Sequence, residues 1–241
     1  MQMLSRPSVS ASEEYTLRPI GIIRTPFVEK FGVPRQLRLA THVKGHIEFF
    51  SPYDDAEAFS GLEGFSHLHV LFRFNLIAYE NFKPRVRPPR LGGNATAGVF
   101  ATRSPFRPNL LGLSIVTLDK IVTVHGRTHL EVSGVDLVDK TPILDIKPYI
   151  AFNDAIPLAQ SGFASAKPHK VQVIFENDLE QRLRREGEER FYAVLECLSQ
   201  DPRPAYKDEN DKKMYTLKIF NYQLVFKFHL NSIVVVDIRI V

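Results

Sequence analysis

A single cysteine, Cys197, is all the thiol this chain has, which excludes a disulfide within the chain and any zinc site built from several thiolates. Tryptophan is absent, and no run of about 18 apolar residues is available to cross a bilayer as a helix. Met1 to Ser12 lacks the apolar stretch of a secretory signal. These absences lead to the expectation of a cytoplasmic protein without a membrane partner, with Cys197 as a buried structural thiol. A further absence is local. Between Asn81 and Leu118 there is no Asp or Glu, although the whole chain carries 27 of them. The same stretch holds Lys83, Arg85, Arg87, Arg90, Arg103 and Arg107. Charge of one sign without local compensation sets up a field suited to phosphates or a carboxylate.

What is present is an ordinary folded composition, 44% hydrophobic and 24% charged, with net charge +4. That charge permits a polyanionic partner without demanding one. Met1 to Glu14 has no periodicity and reads as a tail. Short runs rich in Val, Ile, Leu and Phe follow, separated by Gly, Pro and Asn: Arg18–Arg24, Gly45–Phe50, His67–Phe74, Gly98–Thr102, Leu113–Val124 and His129–Leu137. The expected fold is mainly β, an antiparallel β-barrel domain over 15–168 followed by a small α+β domain over 169–241. No strand, glycine-rich turn and helix unit is found, which argues against a doubly wound nucleotide-binding sheet. Pro84, Pro88 and Pro89 make Ala78 to Leu91 a loop, and Asp54 to Gly61 has room for one helical turn.

After the polar stretch Pro157 to Pro168 the pattern changes. Asn177 or Asp178 can cap a helix bearing Leu179 and Leu183, Gly187 interrupts it, and Phe191, Val194, Leu195 and Leu198 form a second stripe at spacings of three and four. Gln200 to Pro204 stops that helix. Tyr215–Ile219, Tyr222–Leu230 and Ile233–Ile240 read as three strands with turns at Asn221 and Asn231.

Several side chains could carry chemistry, each with a plainer alternative. Arginines interleaved with Pro and Gly lose less entropy when they hold an anion, and Leu91-Gly-Gly-Asn94 offers exposed amides, a feature that also suits any tight turn. Phe74 alternates with Phe72 and is either core or a stacking face. Gln36 and Arg103 either bind a ligand or bridge loops. His67 and His69 share one face of a strand. With no third ligand in view they do not make a metal site, and none is expected.

The block Val86-Arg-Pro-Pro-Arg-Leu-Gly-Gly-Asn94, followed by Gly98-Val-Phe-Ala-Thr-Arg-Ser-Pro-Phe-Arg-Pro-Asn109, resembles the TsaA-like family, specifically its bacterial tRNA (adenine) methyltransferases. Other matching blocks keep the family order: Ile20 to Pro26, Phe31 to Gln36, Gly61 to His67, Asp136 to Pro142, Leu144 to Tyr149 and Gln200 to Tyr206. The resemblance covers about Pro19 to Tyr206. It implies a β-barrel methyltransferase that holds S-adenosylmethionine in a cleft near a homodimer contact. The implied reaction is methyl transfer to the nitrogen of threonylcarbamoyl-adenosine, the purine just 3′ of the anticodon in threonine tRNA.

Carried over by motif position, the cofactor cleft comprises Gln36, Phe74, Asn75, Arg103, Leu113, Asp136, Leu137, Val138 and Asp139. A sulfonium cofactor needs a cation for its carboxylate, an aromatic face for its adenine, and acids or amides for its ribose and amine. Arg103, Phe74, and Asp136 or Asp139 suit these needs in turn. Asp139 and His67 are the candidates for the group that takes the proton, and Lys83, Arg85, Arg87, Arg90 and Arg203 for tRNA phosphates. Two positions depart from the family pattern: Asn75 stands where relatives have His, and Lys140 where they more often have Gly. The competing reading is a non-catalytic RNA-binding module, which would have no use for the cofactor.

Overall fold

In the first half of the chain, alternate residues of each strand share a face, and the apolar faces close around a common interior. The strands are β1 (Gly21–Arg24), β2 (Lys44–Phe49), β3 (His67–Arg73), a short ribbon of β4 (Arg85–Val86) and β5 (Ala97–Gly98), then β6 (Leu111–Val124), β7 (Arg127–Ser133) and β8 (Thr141–Pro148). In this computed structural model, which describes residues 14–35, 39–78, 82–207 and 211–241, six of them form a closed antiparallel barrel in the order β1-β2-β7-β6-β3-β8. Ile23, Ile47, Leu68, Val70, Val116, Leu130, Val132 and Ile143 fill it and are wholly buried. His125 and Gly126, both with positive φ, make the tight β6–β7 hairpin turn that matches the twist of its strands.

Closure gives the barrel two unlike ends. The ends of β1, β3 and β7 and the starts of β2, β6 and β8 lie together, so the described parts of the loops between these strands gather at one mouth, with 134–140 among them. The start of β3 lies at the other end, with the β6–β7 hairpin and the α1 turn (Ala151–Asp154).

One strand expectation is corrected, and one strand was not expected. Gly98–Thr102 pairs only through its first residue and then coils into a turn over Val99–Ala101. The Thr102 hydroxyl donates to the Val99 carbonyl at 2.8 Å and accepts from the Ser104 amide at 3.2 Å, and these local bonds displace a sheet ladder. Conversely, Thr141–Pro148 is the strand that closes the barrel, pairing with both β1 and β3. Pro142 and Pro148 had hidden it.

The second half forms β9 (Gln172–Phe175), α2 (Leu179–Arg185), α3 (Glu188–Ser199), β10 (Tyr215–Ile219), β11 (Tyr222–His229) and β12 (Ser232–Ile240). Its sheet runs β10-β11-β12-β9, with β9 parallel to β12. Gly187, at φ 119°, breaks the two helices apart where a side chain would be strained. Phe191, Val194 and Leu198 are buried beneath α3, whereas Leu195 packs against the core only in part.

The halves share one hydrophobic core. Phe31, from the β1–β2 loop, stacks on Tyr215 and Phe226 at ring separations of 6.2 and 6.4 Å. Next to it Gly32 has φ 88°, and a Cβ there would lie 1.9 Å from a Leu217 methyl. Glu196 of α3 accepts from the His42 amide at 2.9 Å and the Thr41 hydroxyl at 3.1 Å. The second unit therefore fixes the loop that enters the barrel mouth.

Candidate functional site

At the mouth, β6 turns Ser114 inward, where it is wholly buried. Its hydroxyl donates to Asp136 Oδ1 at 2.5 Å. Burial pushes the Asp136 carboxyl above its ordinary range, against the opposing effects of the Ser114 hydrogen bond and the Arg103 charge. Phe74 leaves β3 on the inner side, its amide bonded to the Leu110 carbonyl at 2.8 Å and its ring edge-on to Phe72 at 5.0 Å. Gly112 admits the Phe72 ring, since a Cβ would meet it at 2.2 Å. Asp136 thus lies within reach of the Arg103 charge, and Ser114, which holds it, stands two residues along β6 from Gly112, with the exposed Asn75 following Phe74.

Asp139 belongs to a different set of contacts. Its Oδ1 accepts from the Thr25 amide at 3.1 Å, and its Oδ2 lies 3.8 Å from the Arg24 guanidinium. Leu137 is buried, and its carbonyl accepts from the Thr25 hydroxyl at 2.9 Å. The Val138 carbonyl accepts from the Thr141 hydroxyl at 2.7 Å. Asp139, Leu137 and Val138 brace a tight turn, which ends at Lys140 with φ 62°, a conformation that explains why glycine suits that position.

His67 is not brought to this mouth. It opens β3, opposite Thr117, whereas Phe74 follows the strand's last residue; six residue steps of about 3.3 Å put the strand's ends roughly 20 Å apart. His67 Nδ1 lies 2.8 Å from the Ser66 hydroxyl, and His69 on the same outer face lies 3.1 Å from Asp154. Among the described residues no cluster of His, Cys, Asp and Glu could hold a metal ion. Leu113 also points outward: it is 54% exposed and pairs with Leu71 of β3. Gln36 lies outside the described residues.

Beside the mouth runs an open groove of about 1470 Å³. Arg35, Lys83, Arg85, Arg87, Arg90, Arg103 and Lys167 line it, with no Asp or Glu among its lining residues. The acid-free stretch seen in the sequence thus supplies most of this lining. Arg107 stands apart, donating to the Thr102 carbonyl at 3.0 Å as a brace within the loop.

Arg203 is removed from the phosphate-contacting set. Its side chain is 4% exposed, bonded through Nε and Nη2 to both carboxylate oxygens of Asp201 at 2.8 Å, and lies 3.5 Å over the Phe228 ring. A guanidinium enclosed in this way cannot meet an external phosphate. The wall opposite the arginines, 161–169, was missed by sequence reasoning. Its turn Gly162–Ala164 and the groove-lining Phe163 and Lys167 lie in what read as a polar stretch, Pro157 to Pro168, and the groove-lining His169 follows directly. An aromatic and two basic residues within seven positions were the available signal.

The family model described as the tRNA-methyltransferase O (TrmO) N-terminal domain matches residues 22–155, and the model of the TrmO C-terminal domain matches 168–240. The chain belongs to the TrmO family. A tRNA (adenine(37)-N6)-methyltransferase of Escherichia coli K12 is 41% identical over 215 residues, covering 87% of this chain and 92% of that protein. A Pseudomonas aeruginosa protein whose name describes it as an S-adenosylmethionine-dependent methyltransferase, RcsF, is 41% identical over 211 residues, 86% of this chain and 90% of that one. The crystal structure of TrmO from P. aeruginosa superposes with a TM-score of 0.78 at 32% identity, covering 95% of this chain and 98% of that chain. The TrmO fold therefore accounts for both units, and no helix among the described residues is long and apolar enough to cross a membrane.

Proposed function

We infer that this protein is an S-adenosylmethionine-dependent tRNA (adenine(37)-N6)-methyltransferase, and that its substrate is threonylcarbamoyl-adenosine beside the anticodon of threonine tRNA, modified in the cytoplasm. The observation that carries this reading is the acid-free cationic groove running past Arg103, whose charge is felt by the half-buried Asp136. Such a groove suits a polyanion, and the mouth suits a small polar ligand.

The residues at the mouth fit the cofactor. Arg103 would pair with its carboxylate, Phe74 would flank its adenine, and Asp136, which keeps unused acceptor capacity beyond its Ser114 bond, would accept from its hydroxyls or amine. The cofactor supplies an electrophilic methyl group. The chain's part is to align the acceptor nitrogen, exclude water and take up a proton. Asp136 is the group proposed for the proton, because Asp139 is occupied by Thr25 and Arg24, and His67 stands at the barrel's far end. Lys83, Arg85, Arg87 and Arg90 are proposed to hold tRNA phosphates.

The outward Leu71 and Leu113, beside the partly exposed Leu111, form an apolar stripe next to the mouth, which supports a homodimer joined there. Sedimentation should show a dimer that Leu113→Glu dissociates; an unchanged dimer refutes this placement.

The function is tested by incubating the protein with labelled S-adenosylmethionine and tRNA that carries or lacks the threonylcarbamoyl group, then locating the methyl by mass analysis. Label on the modified purine alone is expected. Equal label on unmodified tRNA would overturn the substrate assignment, and cofactor binding without transfer to either tRNA would overturn the activity.

A further inference from the structure

Two phenylalanines line the cationic groove with their rings open to water: Phe100 is 74% exposed and Phe163 is 40% exposed. Each sits on backbone that is held in place. Phe100 follows Val99, which is 2% exposed, its amide bonded to the Pro84 carbonyl at 3.0 Å and its carbonyl accepting the Thr102 hydroxyl. Phe163 lies in a turn closed by the Ala164 amide on the Ser161 carbonyl at 2.9 Å, and its segment is tied to the arginine wall by Arg90 Nη1 donating to the Ala166 carbonyl at 2.5 Å. Phe106, the groove's remaining phenylalanine, is already covered, with the Lys83 ammonium 4.4 Å from its ring centre. Open aromatic faces among fixed cations, without acids, match an unpaired nucleic-acid strand. Phosphates meet the cations and splayed bases stack on the rings, whereas a continuous helix presents only its backbone.

We propose that Phe100 and Phe163 are stacking platforms for unpaired nucleobases of the tRNA loop, so that the segment 161–169 joining the two units is an RNA-contacting wall and not a spacer. The proposal rests on the tRNA reading above and adds the residues that select a loop over a duplex. Phe100 and Phe163 play no part in cofactor binding here, so their variants should bind S-adenosylmethionine as the parent does.

The test compares the parent, Phe100→Ala, Phe163→Ala and Phe100→Tyr for binding to an anticodon stem-loop RNA and to a duplex of the same stem, across a salt series. 2-Aminopurine in the loop reports stacking. Each alanine variant should lose about tenfold or more in loop affinity, with duplex affinity and salt slope unchanged and the 2-aminopurine quench reduced. Tyrosine should restore both. Loop binding equal to the parent's would overturn the proposal while leaving the tRNA reading intact. So would equal losses for loop and duplex, or a Phe100→Ala protein whose only change is dissociation into single copies. A parent protein that binds neither RNA would overturn both readings.

Discussion

Ser114 and Asp136 meet inside the barrel mouth with 2.5 Å between hydroxyl and carboxylate oxygen, and the serine is wholly buried. Burial raises the pKa of Asp136. Between its unfolded value, about 3.9, and its raised folded value, the native state holds more protons than the unfolded chain. Stability therefore falls as pH rises through that window and stays lower above it. Asp136→Asn keeps an acceptor for Ser114 and removes the charge. Its melting temperature should exceed the parent's at neutral pH and converge with it in acid, while methyl transfer falls by about a hundredfold or more. A variant that melts like the parent at every pH would remove the burial argument. Full turnover with normal cofactor affinity would remove the proton role.

Arg203 is predicted to matter for folding and not for RNA contact. Its guanidinium is sandwiched between Asp201 and Phe228, and its carbonyl accepts from Arg35 Nη2 at 2.5 Å, so this turn orients a groove arginine. Arg203→Ala should cost about 2–4 kcal/mol, since it strips a largely buried pair of one member. Arg203→Lys should recover little of that, having no planar fork to match the carboxylate or lie flat on the ring. Denaturant melts give the cost. A salt slope for tRNA that drops with no loss of stability would instead return Arg203 to the RNA surface.

The barrel was legible where alternation was clean. In His67–Phe74 every second residue from Leu68 is apolar and faces inward, and the strand is as read to within one residue. It was illegible where local chemistry overrode the pattern: Thr102 and Ser104 fold an apolar run into a turn, and two prolines hide β8 among polar neighbours. The cationic groove could be seen as a gap in acids because it is largely one contiguous segment, and the distant elements that line it bring no Asp or Glu. The proton-handling group could not be chosen the same way. Asp136 and Asp139 differ by three positions in one turn, and only three dimensions show which of them bonds Ser114 and which is taken up by Thr25. The enclosure of Arg203 was hidden for a related reason: Asp201 is near in sequence, but Phe228 is not.

Gly112 tests how the core supports the mouth. Its φ is ordinary, so any penalty is steric: an added Cβ would meet the Phe72 ring at 2.2 Å, and that ring packs edge-on against Phe74. Gly112→Ala should lose about 1–3 kcal/mol by overpacking, and displacement of Phe74 should weaken S-adenosylmethionine binding as measured by calorimetry. Adding Phe72→Leu should return part of the stability. If the single variant is as stable as the parent, Phe72 has another place to go and the packing argument fails.

The groove itself makes the final prediction. Lys83, Arg85 and Arg87 are exposed on one wall, and Arg85 is pre-aimed by two bonds to the Thr96 hydroxyl, at 3.1 and 2.6 Å. If all three meet phosphates, converting them to glutamine removes three counterion-releasing contacts. The slope of log affinity against log salt should then become shallower by roughly 2 to 3. Affinity should fall most at low salt, where screening is weakest. The barrel core lies elsewhere, so melting temperature and cofactor affinity should hold. An unchanged slope would mean that these cations serve only as a solvated surface, and that the tRNA approaches the mouth from another side.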